Sequence, residues 1–193
     1  MHSSIGSVNP EKRAPCNLKY QAELPKAGLP RSVSVSEAST DDECIRVKTE
    51  LSPEDTILVK TFATCVRICN HAATIGLLNK LVRMLRTCKY STEDISSVFA
   101  MCIIHHKSFI STLNKDVSAT ERAFILVAQL YISHCVVLDE YCCISNWHKY
   151  LFSTYCDLRS LNNAVARILK RMEWRLTVDQ SELDSYIKVL RGN

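Results

Sequence analysis

The sequence predicts an all-α protein, and three observations carry that expectation. All five prolines lie at or before Pro53, and between Gly28 and Gly192 the only glycine is Gly76. Helix interiors exclude both residues, whereas hairpins and tight sheet turns need them. Beyond Pro53 the apolar residues recur at three- and four-residue spacing, the period of a helix with one face turned inward. Serines with an acidic residue three positions later stand at Ser52, Ser91 and Ser118, which is N-terminal capping chemistry.

Residues 1–50 hold four of the five prolines, many serines and few large apolar side chains. Such a segment cannot bury enough surface to offset its ordering entropy, so a disordered tail is expected, followed by one helical domain over 51–193. Ser52-Pro53 is a minimal proline-directed phosphorylation site. It is also a helix start: Ser52 as N-cap, Pro53 at the first helical position, and Asp55 reaching back to complete a capping box.

The helices follow in order. The first, Pro53 to Asn70, carries Ile57, Leu58, Phe62, Cys65 and Ile68 on one face. Gly76 precedes a second, Leu77 to Cys88. Ser91 caps a third over 92–107, with Ile95, Val98, Phe99, Cys102 and Ile103 inward. A capping box at Ser118 and Glu121 opens the fourth, whose segment Ala123 to Leu138 is apolar nearly all round and reads as the hub of the fold. A short helix covers Ser145 to Phe152, a sixth about 158–173, and a last one Ser181 to Leu190.

Composition excludes several function classes. A net charge of +4 is too mild to argue for nucleic acid, and Arg159, Arg167, Lys170, Arg171 and Arg175 read as a solvated face. Ala123 to Leu138 is 16 residues long and contains Gln129, Ser133 and His134, too short and too polar for a membrane span. Met1 to Asn17 lacks an apolar core segment, so no signal peptide is expected and the location is intracellular, in cytoplasm or nucleus. The ten cysteines then read as reduced, mostly buried thiols. Cys102 and His105 have knuckle-like spacing but share one helix, without a second pair, so no metal is expected. No glycine-rich phosphate loop occurs and nothing selects one cysteine as a nucleophile. The expectation is no catalytic residue, no cofactor and no enzyme.

Just over half of the chain resembles a known family. Leu77-Leu78-Asn79-Lys80-Leu81 through Tyr90, Ser91 to Lys107 and Ser118 to Leu138 form a series of helices of fitting length. Asn146-Trp147 stands eight residues beyond Asp139, then come Leu161-Asn162 and Met172-Glu173-Trp174-Arg175-Leu176. In order and spacing this is similar to the cyclin box of single-box, Pho-like (P/U-type) cyclins, over about residues 75–178. The acidic, serine-rich stretch Ser32 to Glu54 also resembles the degradation-prone tails of cyclins.

The resemblance implies a five-helix box, with its third helix central, flanked here by an extra N-terminal and a C-terminal helix. It implies a regulatory subunit that binds and activates a cyclin-dependent serine/threonine protein kinase as a heterodimer, with neither nucleic acid nor membrane as partner. The kinase-binding positions fall on Cys135, Val136, Val165, Leu169, Trp174 and Leu176. The family's usual lysine near the end of the third box helix falls on Cys135, and its glutamate in the fifth on Val165. Losing one charge would strand the other at roughly 3–5 kcal/mol, whereas losing both is nearly neutral where an apolar contact replaces them. That joint loss fits a rewired kinase interface, and equally a cyclin-fold adaptor that no longer binds a kinase.

Overall fold

A computed structural model of the chain describes residues 50–111, 113, 117–139 and 142–192. The tail expected over 1–50 lies, except for Glu50, outside the described residues. Among the described residues the structure is all-α: α1 (Pro53–Cys65), α2 (Ala72–Thr87), α3 (Thr92–Ile110), α4 (Ala119–Val137), α5 (Ile144–Trp147), a π-helical turn (His148–Phe152), α6 (Leu158–Arg171) and α7 (Gln180–Arg191). No helix among them is long and apolar enough to cross a membrane.

Side-chain caps open the helices much as the sequence predicts. Ser52 Oγ accepts the Asp55 N–H at 3.1 Å, and Ser91 with Asp94 forms the full reciprocal capping box. Two details differ. The Asp55 carboxylate does not reach back to Ser52 but turns to Arg86 of α2, because a guanidinium offers two donors where the cap backbone offers one. At Ser118 only the forward half forms, with Oγ accepting from the Glu121 N–H.

The second helix begins four residues before Gly76, at Ala72, with the His71 side chain accepting the Thr74 N–H. Gly76 thus lies inside α2 rather than ahead of it. A helical glycine costs about 1 kcal/mol relative to alanine. One side-chain cap and the buried Leu78, Leu81, Val82 and Leu85 outweigh that.

Three helices end the same way without a glycine. Arg67, Lys89 and Glu173 have φ of 61°, 66° and 53°. The following N–H of Ile68, Tyr90 and Trp174 closes on the carbonyl of Ala63, Leu85 and Leu169. This is the Schellman closure, which usually employs glycine at the left-handed residue. It ends α1 at Cys65 rather than at Asn70.

Helix α4 is central, as expected, and α3 shares that place. Helix α3 meets α1, α4 and α7, while α4 meets α2, α3 and α6. Eleven α3 residues are buried against nine of α4. The physical reason is α7, which lays Leu183 and Leu190 over a second face of α3 and so buries it from both sides. At the centre Phe62 of α1 tilts against Phe99 of α3, ring centroids 4.5 Å apart. Trp147 is fully buried, with Tyr131 and His134 of α4 edge-on at 5.3 and 5.5 Å.

Candidate functional site

Helix α6 has apolar Leu161, Val165 and Ile168 on its inward stripe, and its charged residues are all cationic, with Arg159, Arg167, Lys170 and Arg171 exposed. Its C-terminal end shapes the segment from Met172 to Leu176. The Trp174 N–H donates to the Leu169 carbonyl at 3.0 Å, and the Arg175 N–H to the Met172 carbonyl at 3.0 Å. This tight reversal puts two consecutive side-chain-bearing residues, Glu173 and Trp174, at φ of 53° and 58°. Left-handed backbone costs roughly 1–2 kcal/mol per residue when a Cβ is present. At Arg67 and Lys89 a single residue bears that strain, whereas here a second does, and it is a tryptophan left 64 % exposed.

The segment is fixed on both sides of Trp174. Met172 and Leu176 are half-buried against the core. The Leu176 backbone neighbours His105 of α3, where burial pushes the imidazole pKa down and the Leu176 backbone partly offsets it. Trp174 is therefore displayed from an anchored turn.

The other expected contact residues divide. Leu169 is half-buried one turn before the reversal. Cys135 and Val136 lie in the last turn of α4, the helix that packs against α6. Cys135 is half-buried, its thiol pKa raised by burial and eased down by the Tyr131 side chain. Val136 is exposed. Val165 departs from the expectation: it belongs to the core at 9 % exposure, because it shares the inward stripe of α6 with Leu161 and Ile168. Ser52 is exposed, its hydroxyl engaged as the α1 cap.

Sequence reasoning missed the partners of several polar groups buried in the core. His134, the residue before Cys135, is fully buried with Tyr90 edge-on at 5.2 Å and Trp147 at 5.5 Å. Burial lowers its pKa to about 4. The apolar run around it hid its role, since periodicity assigns a face without naming the partners on it. Farther along α3 and α4, His106 Nδ1 and Gln129 Oε1 pair at 2.7 Å inside the core.

No three histidine, cysteine, aspartate or glutamate side chains among the described residues converge as a metal site. A cleft of about 1030 Å³ lies at the end of α4 remote from Cys135. Its Lys107 is bonded to the Tyr186 hydroxyl and its Arg122 to the Val117 carbonyl, so these cations already have partners within the protein. No protein-family model matches this chain, and neither does any curated protein or solved structure.

Proposed function

We propose that the chain is a cyclin-like regulatory subunit, similar to single-box Pho-like cyclins, that docks on a cyclin-dependent protein kinase through the surface around Trp174. The observation that carries the reading is Trp174 itself. A large aromatic side chain, mostly exposed, is held on strained backbone by anchored neighbours. Exposure of an indole and left-handed backbone both cost free energy, and strain persisting in a well-packed domain points to a function that uses it. Aromatic anchors of this kind carry most of the energy of protein interfaces. Support also comes from the order of helices α2 to α6, which runs as a five-helix box would, with Trp147 in its interior.

In this reading Leu169 and Leu176 flank the tryptophan along its own segment, and Cys135 and Val136, in the last turn of α4, are further contacts of the same partner. Val165 acts from below by packing α6. Kinase activity needs the lysine–glutamate pair that the kinase's regulatory helix positions. A subunit that binds the active placement of that helix better than the inactive one shifts the kinase toward activity. The chain has no catalytic role of its own, and its location is intracellular.

One observation favours a second reading. Cys135 and Val165 replace the charged pair of the family, and Val165 is turned inward, as in a helical adaptor that retained the fold and left the kinase. Affinity purification from native cells, with the eluate assayed for protein kinase activity, separates the two. A stoichiometric kinase that is lost on Trp174→Ala supports the cyclin reading. A folded chain that copurifies with other proteins and no kinase overturns it.

A further inference from the structure

The cleft of about 1030 Å³ is built where α1 and α3 end and α2 and α4 begin. Helix ends of both signs meet there, so their dipoles offset one another and side chains set the charge. Arg67, Lys107 and Arg122 line it, and among the described residues no aspartate or glutamate does. Arg67 is exposed and stands at the left-handed residue that closes α1. Lys107, in the last turn of α3, is bonded to the Tyr186 hydroxyl of α7. That partner is uncharged, so it orients the ammonium without neutralising it.

Two further polar walls belong to the packed interior. Thr74 and His106 are both buried, yet both line the cleft. His106 is held from within, its Nδ1 paired with Gln129 Oε1 at 2.7 Å. At the start of α2, His71 Nδ1 accepts the Thr74 N–H at 3.2 Å. A neutral imidazole that accepts at Nδ1 carries its proton on Nε2, which adds a donor to the set. The rest of the lining is apolar. Val66 and Leu126 are core residues, whereas Ile110 is a large apolar side chain left exposed.

We propose that this cleft binds a small organic phosphate, a dianionic group carried on an apolar body. The planar fork of Arg67 suits two phosphate oxygens, and Lys107 adds a point charge. A phosphate carries close to two negative charges at neutral pH, so it answers more of the cleft's charge than a lone carboxylate does. An apolar body attached to it would cover Ile110 and rest on Val66 and Leu126. The volume is that of a small-molecule site, which also combines apolar lining with a few placed polar groups. The cleft lies at the opposite end of α4 from Cys135, so its occupancy is independent of what docks at Trp174.

The test is an NMR titration of the folded, isotope-labelled full chain with phenyl phosphate, set beside phenol and inorganic phosphate. Phenyl phosphate should shift the amide signals of Arg67, Thr74 and Lys107 saturably, with a Kd about tenfold below that of either fragment. Arg67→Gly removes the guanidinium and puts glycine where φ is positive, so the helix end is kept. It should raise the Kd about fivefold, and Lys107→Gln should do the same. Arg159→Gln, on α6 and outside the cleft, should leave the Kd unchanged. Phenol binding as tightly as phenyl phosphate would make the cleft a merely apolar groove and overturn the proposal. Inorganic phosphate binding as tightly would overturn the apolar body. Absence of saturable shifts at the cleft, or a Kd indifferent to both Arg67→Gly and Lys107→Gln, would overturn the site itself.

Discussion

Asp55 and Arg86 lock the first turn of α1 to the last turn of α2. Arg86 Nη2 donates to Asp55 Oδ1 at 2.7 Å, and Arg86 Nε approaches both carboxylate oxygens at 3.2 and 3.3 Å. The same guanidinium bonds the Tyr90 carbonyl and the Thr92 hydroxyl, so one side chain ties α1, α2 and the start of α3. The Asp55 side chain is only 6 % exposed. Removing one partner of such a pair leaves the other desolvated and uncompensated. Asp55→Ala is expected to lower the unfolding free energy by about 3 kcal/mol. A double-mutant cycle with Arg86→Met, read by urea unfolding, should then recover part of that loss. Strictly additive losses would show that the pair is not coupled.

The two tryptophans should behave oppositely. Trp147 is fully buried and Trp174 is 64 % exposed. Trp147→Ala empties a core site and is expected to cost about 3–5 kcal/mol. Trp174→Ala removes little packing and should change stability by no more than about 0.5 kcal/mol. Partner binding, by contrast, should fall at least tenfold if Trp174 is an interface anchor, about 1.4 kcal/mol or more. Thermal melts together with pull-down against a cyclin-dependent kinase check both halves. Unimpaired binding in the folded Trp174→Ala variant would sink the proposed function.

Backbone strain beside Trp174 gives a separate handle. Glu173 occupies the left-handed position that glycine fills at lower cost. Its ion pair with Arg175, at 2.8 Å between highly exposed side chains, contributes little. Glu173→Gly is expected to stabilise the domain by about 1 kcal/mol, measured by chemical denaturation. If stability drops instead, the left-handed conformation is not carrying the cost assigned to it.

Most of the helical order was legible in the sequence because capping serines, helical periodicity and the scarcity of glycine and proline are local signals. The ends of α1 and α6 were less legible. Arg67 and Glu173 terminate helices by a conformation their side chains do not advertise, where glycine would have announced it. The central place of α3 was hidden for another reason. Polar and small residues such as Ser96, His105 and His106 are buried only because α4 and α7 flank that helix, and that is a tertiary fact. At the candidate site, an exposed Trp174 and a buried Trp147 carry the same letter, and only packing separates them. The Val165 position was read from a family's contact pattern, whereas its own spacing with Leu161 and Ile168 already placed it inward.

Acid should loosen this fold above the pH at which its carboxylates titrate. His134 is fully buried, and its pKa is lowered from 6.5 to about 4 by desolvation. His105 and His106 are shifted the same way, also chiefly by burial. A histidine with a depressed pKa stays neutral in the native state while the unfolded chain takes up a proton. Its contribution is therefore fully present above about pH 6.5 and is lost progressively as pH falls toward 4, where the native state protonates too. For His134 the full loss is about 3 kcal/mol, spread over that window. The melting temperature should accordingly decline steadily from pH 7 to pH 4.5. Following the His134 ring proton by NMR across the same range provides the direct check. Its resonance should hold constant down to about pH 5, and a midpoint near 6.5 would refute the buried, neutral assignment.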